Sequence, residues 1–303
     1  RWLIRGTPRN SLKDLIYLYL MKVYASYGRH GLKRISNNIV IRILLIVTNL
    51  FMEKLKIGIV FDDSLDRNDG VQQYVRTLGK WLNSKGHAVH YLVGESNPSN
   101  HSDKTVFSLG KNIKVRFNGN KLSIPLFSSK KEIKKLLNQE KYDILHIQMP
   151  YSPMLAGKII QNAPNHTAIV GTFHIMPVGA LQKASTRLLS TIQRRSLKKL
   201  YAVVSVSTAA KKFAHQTYGI KSEVIPNLID LKIWKNNITS HPGRIIFLGR
   251  LVPRKGCKQL LTAINALPES IKNGLEVVIA GDGPDKQKLE TYVRKNNLLC
   301  VRF

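Results

Sequence analysis

The run Leu55–Phe61, LKIGIVF, constrains this chain more than any other stretch. Apart from Lys56 it is apolar and rich in β-branched residues, the pattern of a strand buried on both faces of a parallel sheet. Asp62–Gly70 is polar and turn-rich. Val71, Val75, Leu78 and Leu82 then keep helical spacing, Gly86 ends the helix, and Ala88–Val93 is the next strand. Strand, helix and strand in that order form a βαβ unit, which implies a parallel sheet and a right-handed crossover. A sheet of this kind binds ligands in the crevice at the carboxyl ends of its strands. The loop Asn68-Asp69-Gly70 lies there, and a glycine lets backbone N–H groups come close to a ligand. The loop is not GxGxxG, so the dinucleotide fingerprint of a dehydrogenase is missing.

The same alternation continues. His101–Leu126 is Asn- and Lys-rich and reads as hairpin or loop material. Ser128–Gln139 is a basic amphipathic helix, Tyr142–Gln148 a strand, Met154–Ile160 a small-residue helix and Thr167–Thr172 a strand. His146 lies inside its strand and reads as a packed core residue. His174 follows its strand at the carboxyl edge and is the candidate for ligand contact. Leu181–Leu200 is a long helix with a Leu/Ile stripe and strong positive charge from Arg187, Arg194, Arg195, Lys198 and Lys199. Ala202–Ser207 is a strand, Ser207 is placed to cap a helix over Thr208–Thr217, and Glu223–Ile225 is a short strand. A polar stretch up to Gly243 separates a second domain.

That second domain opens with GRIIFLGRLVPRKG. Ile245–Leu248 reads as a buried parallel strand and Gly249 ends it. Arg250, Arg254 and Lys255 follow, and Leu260, Leu261 and Ile264 return to helical spacing. Cations beside a helix N-terminus suit a diphosphate, because the helix end adds unpaired N–H donors. The helix Lys258–Leu267, the strand Leu275–Ala280, the turn Gly281-Asp282-Gly283-Pro284 and the helix Asp285–Lys295 complete a second βαβ pattern.

The net charge of +30 favours anionic partners such as nucleotide phosphates, an acidic membrane surface or nucleic acid. No nucleic-acid motif is present and aromatic residues are not interleaved with the basic clusters, which argues against nucleic acid. Cys257 and Cys300 form neither a metal spacing nor a disulfide framework, so a reducing cytoplasm is the default. Ile39–Met52 is apolar over 14 residues and contains Arg42; a spanning helix needs about 20 apolar residues. A cationic flank before a short apolar core has the form of a signal peptide, yet no small-residue cleavage site follows. Met52 directly precedes the first strand and reads as a natural start, which makes residues 1–51 an upstream extension.

Several blocks, in order, resemble the retaining GT-B glycosyltransferases of the family 4 type, among them the phosphatidylinositol mannosyltransferases. They are LKIGIVFDDS with NDGVQQYVRTLGKWLNSKGHAVHYL, DILHIQMPYSP, IVGTFH, VSVSTAAKKF with VIPNLID, FLGRLVPRKG and VVIAGDGPDKQKLE. The resemblance covers about Leu55–Phe303. It implies an α/β GT-B fold: two Rossmann-like domains facing across a cleft that holds the nucleotide, the second incomplete. The division it implies is a basic extension over 1–53, an acceptor-side domain over 54–228 and a partial nucleotide-sugar domain over 229–303.

It also implies roles. Gly70, Asn227, Gly249, Arg250, Lys255, Gly281 and Gly283 would bind the donor. His174 would act near the transferring sugar, and Arg250 and Lys255 would neutralise the departing diphosphate. The donor would be GDP-mannose or a UDP-hexose, the acceptor a lipid-linked or glycan molecule, and no metal would be required. The basic helices suggest a cytoplasmic enzyme held peripherally on an anionic membrane. There are departures. Asp69 stands where the family has a second loop glycine, and Leu228 stands where a glycine follows the asparagine. The E-x7-E carboxylate motif is expected beyond Phe303. The alternative is a degenerate protein that binds a nucleotide-sugar or an anionic membrane without catalysis.

Overall fold

The computed structural model describes residues 54–66, 69–97, 105–117, 120–125, 127–174, 193–228 and 241–303. The readings placed on residues 1–53, on Asn68, on most of Leu181–Leu200 and on the 229–240 linker lie outside the described residues. The chain forms two compact units, the first made of Arg1–Val115 and Leu122–Trp234 and the second of Arg116–Lys121 and Lys235–Phe303.

The first unit is built on β1 (Lys56–Phe61), β2 (Ala88–Val93), β3 (Val106–Ser108), β6 (Ile144–Gln148), β7 (Ala168–Phe173), β8 (Ala202–Ser205) and β9 (Glu223–Val224). These make one seven-stranded sheet in the order β3-β2-β1-β6-β7-β8-β9. Each adjacent pair is parallel. Between β3 and β6 the chain forms β4 (Asn112–Phe117) and β5 (Asn120–Pro125), a separate two-stranded sheet. The stretch read as hairpin or loop therefore also supplies the sheet's edge strand, β3.

The helices are α1 (Gly70–Ser84), α2 (Lys130–Glu140), α3 (Leu155–Asn162) and α4 (Thr208–Tyr218). Alternation along β1 sends Ile57, Ile59 and Phe61 into one core with Val75, Leu78 and Leu82 of α1. Val60 points the other way, into a second core with Ile133, Leu136 and Leu137 of α2 and Leu155, Ile159 and Ile160 of α3. Helices thus cover both faces, as a doubly wound sheet requires. Local chemistry sets their ends. The Ser129 side chain accepts from the Glu132 N–H at the start of α2, and Lys141 closes it with φ 46°. Ser207 accepts from the Ala210 N–H to start α4, and Gly219 ends that helix at φ 68°.

The second unit pairs β10 (Arg244–Leu248), β11 (Glu276–Ala280) and β12 (Val301–Arg302) in a parallel sheet. Its helices are α5 (Cys257–Asn265), the short α6 (Glu269–Lys272) and α7 (Lys286–Lys295). Leu251, Cys257, Leu261, Ile279 and Leu289 form its core, with Phe247, Tyr292, Val293 and Val301 packed against it. The reading of β10 as a strand buried on both faces needs correction. Ile246 is 65% exposed and Leu248 is 79% exposed. The described helices pack on the Phe247 and Ile279 face only, so the alternate side chains of β10 stay uncovered.

Candidate functional site

In the first sheet β1 lies between β2 and β6, so the order of strands reverses there. The carboxyl ends of β1 and β6 flank the crevice that such a reversal opens. Asp62 follows β1 at this point and is buried. Its Oδ1 accepts from the Ala156 N–H at 2.7 Å. Its Oδ2 accepts from the Ser152 hydroxyl. The carboxylate therefore serves the N-terminal turn of α3 from across the sheet. Burial pushes its pKa up to about 6, against the pull of the Ser152 and Ala156 hydrogen bonds and with some help from Asp63. The next residues are pinned as well. Ser64 Oγ donates to Asp66 Oδ2 at 2.8 Å, and the Gln72 side-chain amide donates to the Ser64 carbonyl at 3.2 Å. Arg76 donates to the Leu65 carbonyl. This loop delivers the chain to Gly70, the first residue of α1. A β-carbon on Gly70 would meet nothing within 4 Å, so its backbone faces open space.

His174 lies just beyond β7, the neighbour of β6. Its Nε2 is 2.7 Å from Oε1 of Gln148, the last residue of β6. Tyr74, one turn into α1 from Gly70, meets the His174 ring edge-on with centroids 5.0 Å apart. The same tyrosine reaches His146, with centroids 6.5 Å apart. His146 is buried and its Nε2 is 2.7 Å from Thr172 Oγ1. Burial holds both rings neutral, His174 down to about 4 and His146 down to about 3, where the nearby His174 adds to the effect. The structure therefore brings Gly70 and His174 to one edge, linked through Tyr74. Asn227 lies at the same end of the sheet, just after β9, and is exposed.

Gly249, Arg250, Lys255, Gly281 and Gly283 come together in the second unit, at the carboxyl ends of β10 and β11. The Gly249 N–H donates to the Ala280 carbonyl at 3.0 Å and the Leu251 N–H donates to the Asp282 carbonyl at 2.8 Å. A β-carbon on Gly281 would lie 1.9 Å from the Gly249 carbonyl oxygen, and one on Gly283 would lie 2.3 Å from that of Leu251. Both glycines therefore let the two loops close on each other. Pro253–Lys255 forms a single 3₁₀ turn, and Gly256 turns the chain into α5 at φ 81°. The N-cap of α5 is Gly256, which has no side chain to bond the first N–H groups. Arg254 and Lys255 are exposed beside it and Arg250 is half-buried. This is a cationic helix N-terminus suited to an anion.

Three residues of the first edge escaped the sequence reading: Asp62, Gln148 and Tyr74. The Asp62-Asp63-Ser64 run after a buried strand signals only a turn, because its main partner is 94 positions away. Glu132 and Glu140 have E-x7-E spacing, but they lie on α2 of the first unit. There the Glu132 N–H takes part in the Ser129 cap and Glu140 pairs with Lys56 at 2.5 Å. Among the described residues no group of three or more His, Cys, Asp or Glu is placed to hold a metal ion. None of the described helices is long and apolar enough to cross a membrane.

Comparison with known proteins agrees with this architecture. The glycosyltransferase of Rickettsia africae ESF-5 superposes with a TM-score of 0.58 at 17% identity, over 83% of this chain and 68% of that one. TarM does so with a TM-score of 0.58 at 12% identity, over 83% and 76%. These likenesses show a GT-B glycosyltransferase fold. The phosphatidyl-myo-inositol mannosyltransferase of Propionibacterium freudenreichii subsp. shermanii is 29% identical over 248 residues, 76% of this chain and 62% of the relative. That of Mycolicibacterium smegmatis is 29% identical over 243 residues, 78% of this chain and 61% of the relative. The chain thus spans less than two thirds of the length of the curated relatives it matches. Residues 229–299, which include the cationic loop, match the profile of Glycosyl transferases group 1. Residues 68–233, which run from the Gly70 loop through His174 and Asn227, match that of Glycosyltransferase Family 4, and the chain belongs to this family.

Proposed function

We propose that this protein transfers a mannose-type hexose from a nucleotide-sugar to a phosphatidylinositol-type lipid, with retention at the anomeric carbon. The observation that carries the reading is the Gly249–Cys257 loop. In a chain of this family, it carries Arg250 and Lys255 and leads into a helix whose N-cap is a glycine, Gly256. Negative charge builds on the diphosphate as its bond to the sugar breaks. Preorganised cations and N–H donors at that position lower the barrier, because they need no reorganisation at the moment of reaction. In this reading side-chain cations do the neutralising and no metal is called for. Gly70 offers backbone N–H groups to the donor, Asn227 contributes a polar contact, and neutral His174 meets the hexose. The names of the relatives favour mannose and an inositol lipid.

The exposed Lys130, Lys131, Lys134 and Lys135 of α2 support a peripheral location on an anionic membrane, on its cytoplasmic face. Ile133, Leu136 and Leu137 are used by the core, so this attraction is electrostatic and not insertion of an apolar face.

The test is transfer of radiolabelled mannose from GDP-mannose to phosphatidylinositol vesicles by the native gene product, with UDP-glucose in parallel. Labelled lipid from GDP-mannose is the expected result. Labelled lipid from UDP-glucose alone would overturn the choice of donor. Tight nucleotide-sugar binding without transfer to any lipid would overturn catalysis in favour of a binding protein.

A further inference from the structure

We infer that Gln148 is a positioning residue: its carboxamide oxygen holds His174 in the tautomer with the proton on Nε2, leaving Nδ1 as a bare lone pair at the carboxyl edge of the sheet. This deepens the proposed function and rests on it only for the identity of the group that Nδ1 meets.

Gln148 is the last residue of β6 and is wholly buried. It stands in register with Thr172 of β7, two positions before His174. The side chain therefore leaves a rigid central strand and reaches His174 where the neighbouring strand ends. Its Oε1 lies 2.7 Å from His174 Nε2. A carbonyl oxygen can only accept, so the ring must donate from Nε2. The ring is neutral, with burial holding its pKa near 4, and a neutral imidazole carries one proton. Nδ1 is consequently the acceptor.

Among the described residues, the other groups that face the ring carry no charge into this choice. Tyr74 from α1 is edge-on, and burial pushes its phenol further up. His146 from β6 is neutral and bonds Thr172. Gln148 Nε2 is buried without a hydrogen-bond partner among the described residues. A buried orphan amide costs stability, and such costs persist where the other half of the group has a task.

The chemistry that follows is specific. A bare Nδ1 accepts a hydrogen bond from a hydroxyl and repels the lone pairs of a phosphate or carboxylate oxygen. His174 is therefore set to hold a hexose hydroxyl, and the diphosphate is left to other groups.

Long-range proton–nitrogen correlation spectra of histidine-labelled protein test this without substrate, with His174 assigned by its loss in His174→Gln. The wild type is expected to show a protonated-type Nε2 and an unprotonated-type Nδ1. Gln148→Met should move His174 to a mixture or to the Nδ1–H form. Gln148→Glu should keep Nε2–H and raise the His174 titration by about one to three units, because the new carboxylate favours the charged ring. A wild-type ring in the Nδ1–H form would overturn the inference, with no variant needed. So would a Gln148→Met spectrum identical to wild type in a folded protein. The spectra do not depend on turnover. A failed transfer assay with the expected tautomer removes the sugar-transfer reading and leaves the role of Gln148 standing.

Discussion

Replacing Asp62 by Asn should make the first unit more stable at neutral pH and leave it nearly unchanged in acid. The Asp62 carboxyl titrates at about 6 in the fold, against 3.8 for an unperturbed group. Below the lower value it is protonated in both states. Above the upper value it is ionised in both, and the folded state carries a desolvated charge. A folded pKa above the unfolded one means that the stability contributed by this group is fully present below about pH 4. It is lost as pH rises through about 6. A gap of roughly two units, at about 1.4 kcal/mol each, amounts to about 3 kcal/mol. Asparagine keeps an oxygen to accept from the Ala156 N–H and offers an N–H to Ser152 Oγ, and it carries no charge. The difference between variant and wild type should therefore grow from near zero at pH 4 to about 3 kcal/mol at pH 7.5. Other titrating groups cancel in that difference unless they contact residue 62. Urea unfolding read by tryptophan fluorescence measures it, in a background where Trp2 and Trp234 are replaced by Phe so that only Trp81 of α1 reports. A difference that stays flat with pH, or that favours Asp62 as pH rises, refutes the reasoning.

Arg250→Ala and Lys255→Ala should each lower mannose transfer by about 10²-fold or more, mainly in kcat, as steady-state assays of the native gene product would record; an effect confined to KM would assign them to ground-state binding. Gly281→Ala forces a methyl to within 1.9 Å of the Gly249 carbonyl oxygen. It should destabilise the second unit by about 1–3 kcal/mol, measured by calorimetry. Ser207→Ala removes the acceptor for the Ala210 N–H at 3.1 Å and should cost about 1 kcal/mol in urea unfolding. Replacing Lys130, Lys131, Lys134 and Lys135 with Gln should weaken sedimentation with anionic vesicles at low salt and change nothing with neutral vesicles; unchanged binding to anionic vesicles would move the contact elsewhere.

Elements whose cause is local were legible in the sequence. The β1–α1–β2 unit was read to within a residue or two because helical spacing and strand runs are written in adjacent residues. Ser207 was legible as a cap for the same reason. So was the grouping of Gly249, Arg250 and Lys255, which lie within one loop and its 3₁₀ turn. The uncovered face of β10 was not legible: four apolar residues in a row look alike whether one face or two are covered, and coverage depends on distant helices. Asp62 looked like a turn residue because its partner is the N–H of Ala156. Gln148 looked like the end of a strand because the register that sets it beside His174 depends on how β6 and β7 align. Tyr74 shares the apolar face of its helix with Val71, Val75 and Leu78 and so looked like one more core position; only the tertiary packing reveals its contact with two histidines.

The charges of the two loops argue for a division of labour. The loop that follows β1 carries Asp62, Asp63, Asp66 and Asp69 against one cation, Arg67, before Gly70. With Asp62 titrating near 6, most of its population is ionised at pH 7. An anion drawn to the open backbone of Gly70 would feel these carboxylates against the N–H donors of α1, and a helix end offsets only about half a charge. The loop that follows β10 has the opposite composition, with Arg250, Arg254 and Lys255 before the Gly256 N-cap of α5. On the proposed function, phosphate charge is therefore better served by the second unit. The first unit's edge offers the neutral His174 instead, while Gln148 and Asp62 are engaged within the fold. On the proposed function, each unit taken by itself suits a different chemistry: hydroxyl groups at the edge of the first and phosphate at the cationic loop of the second.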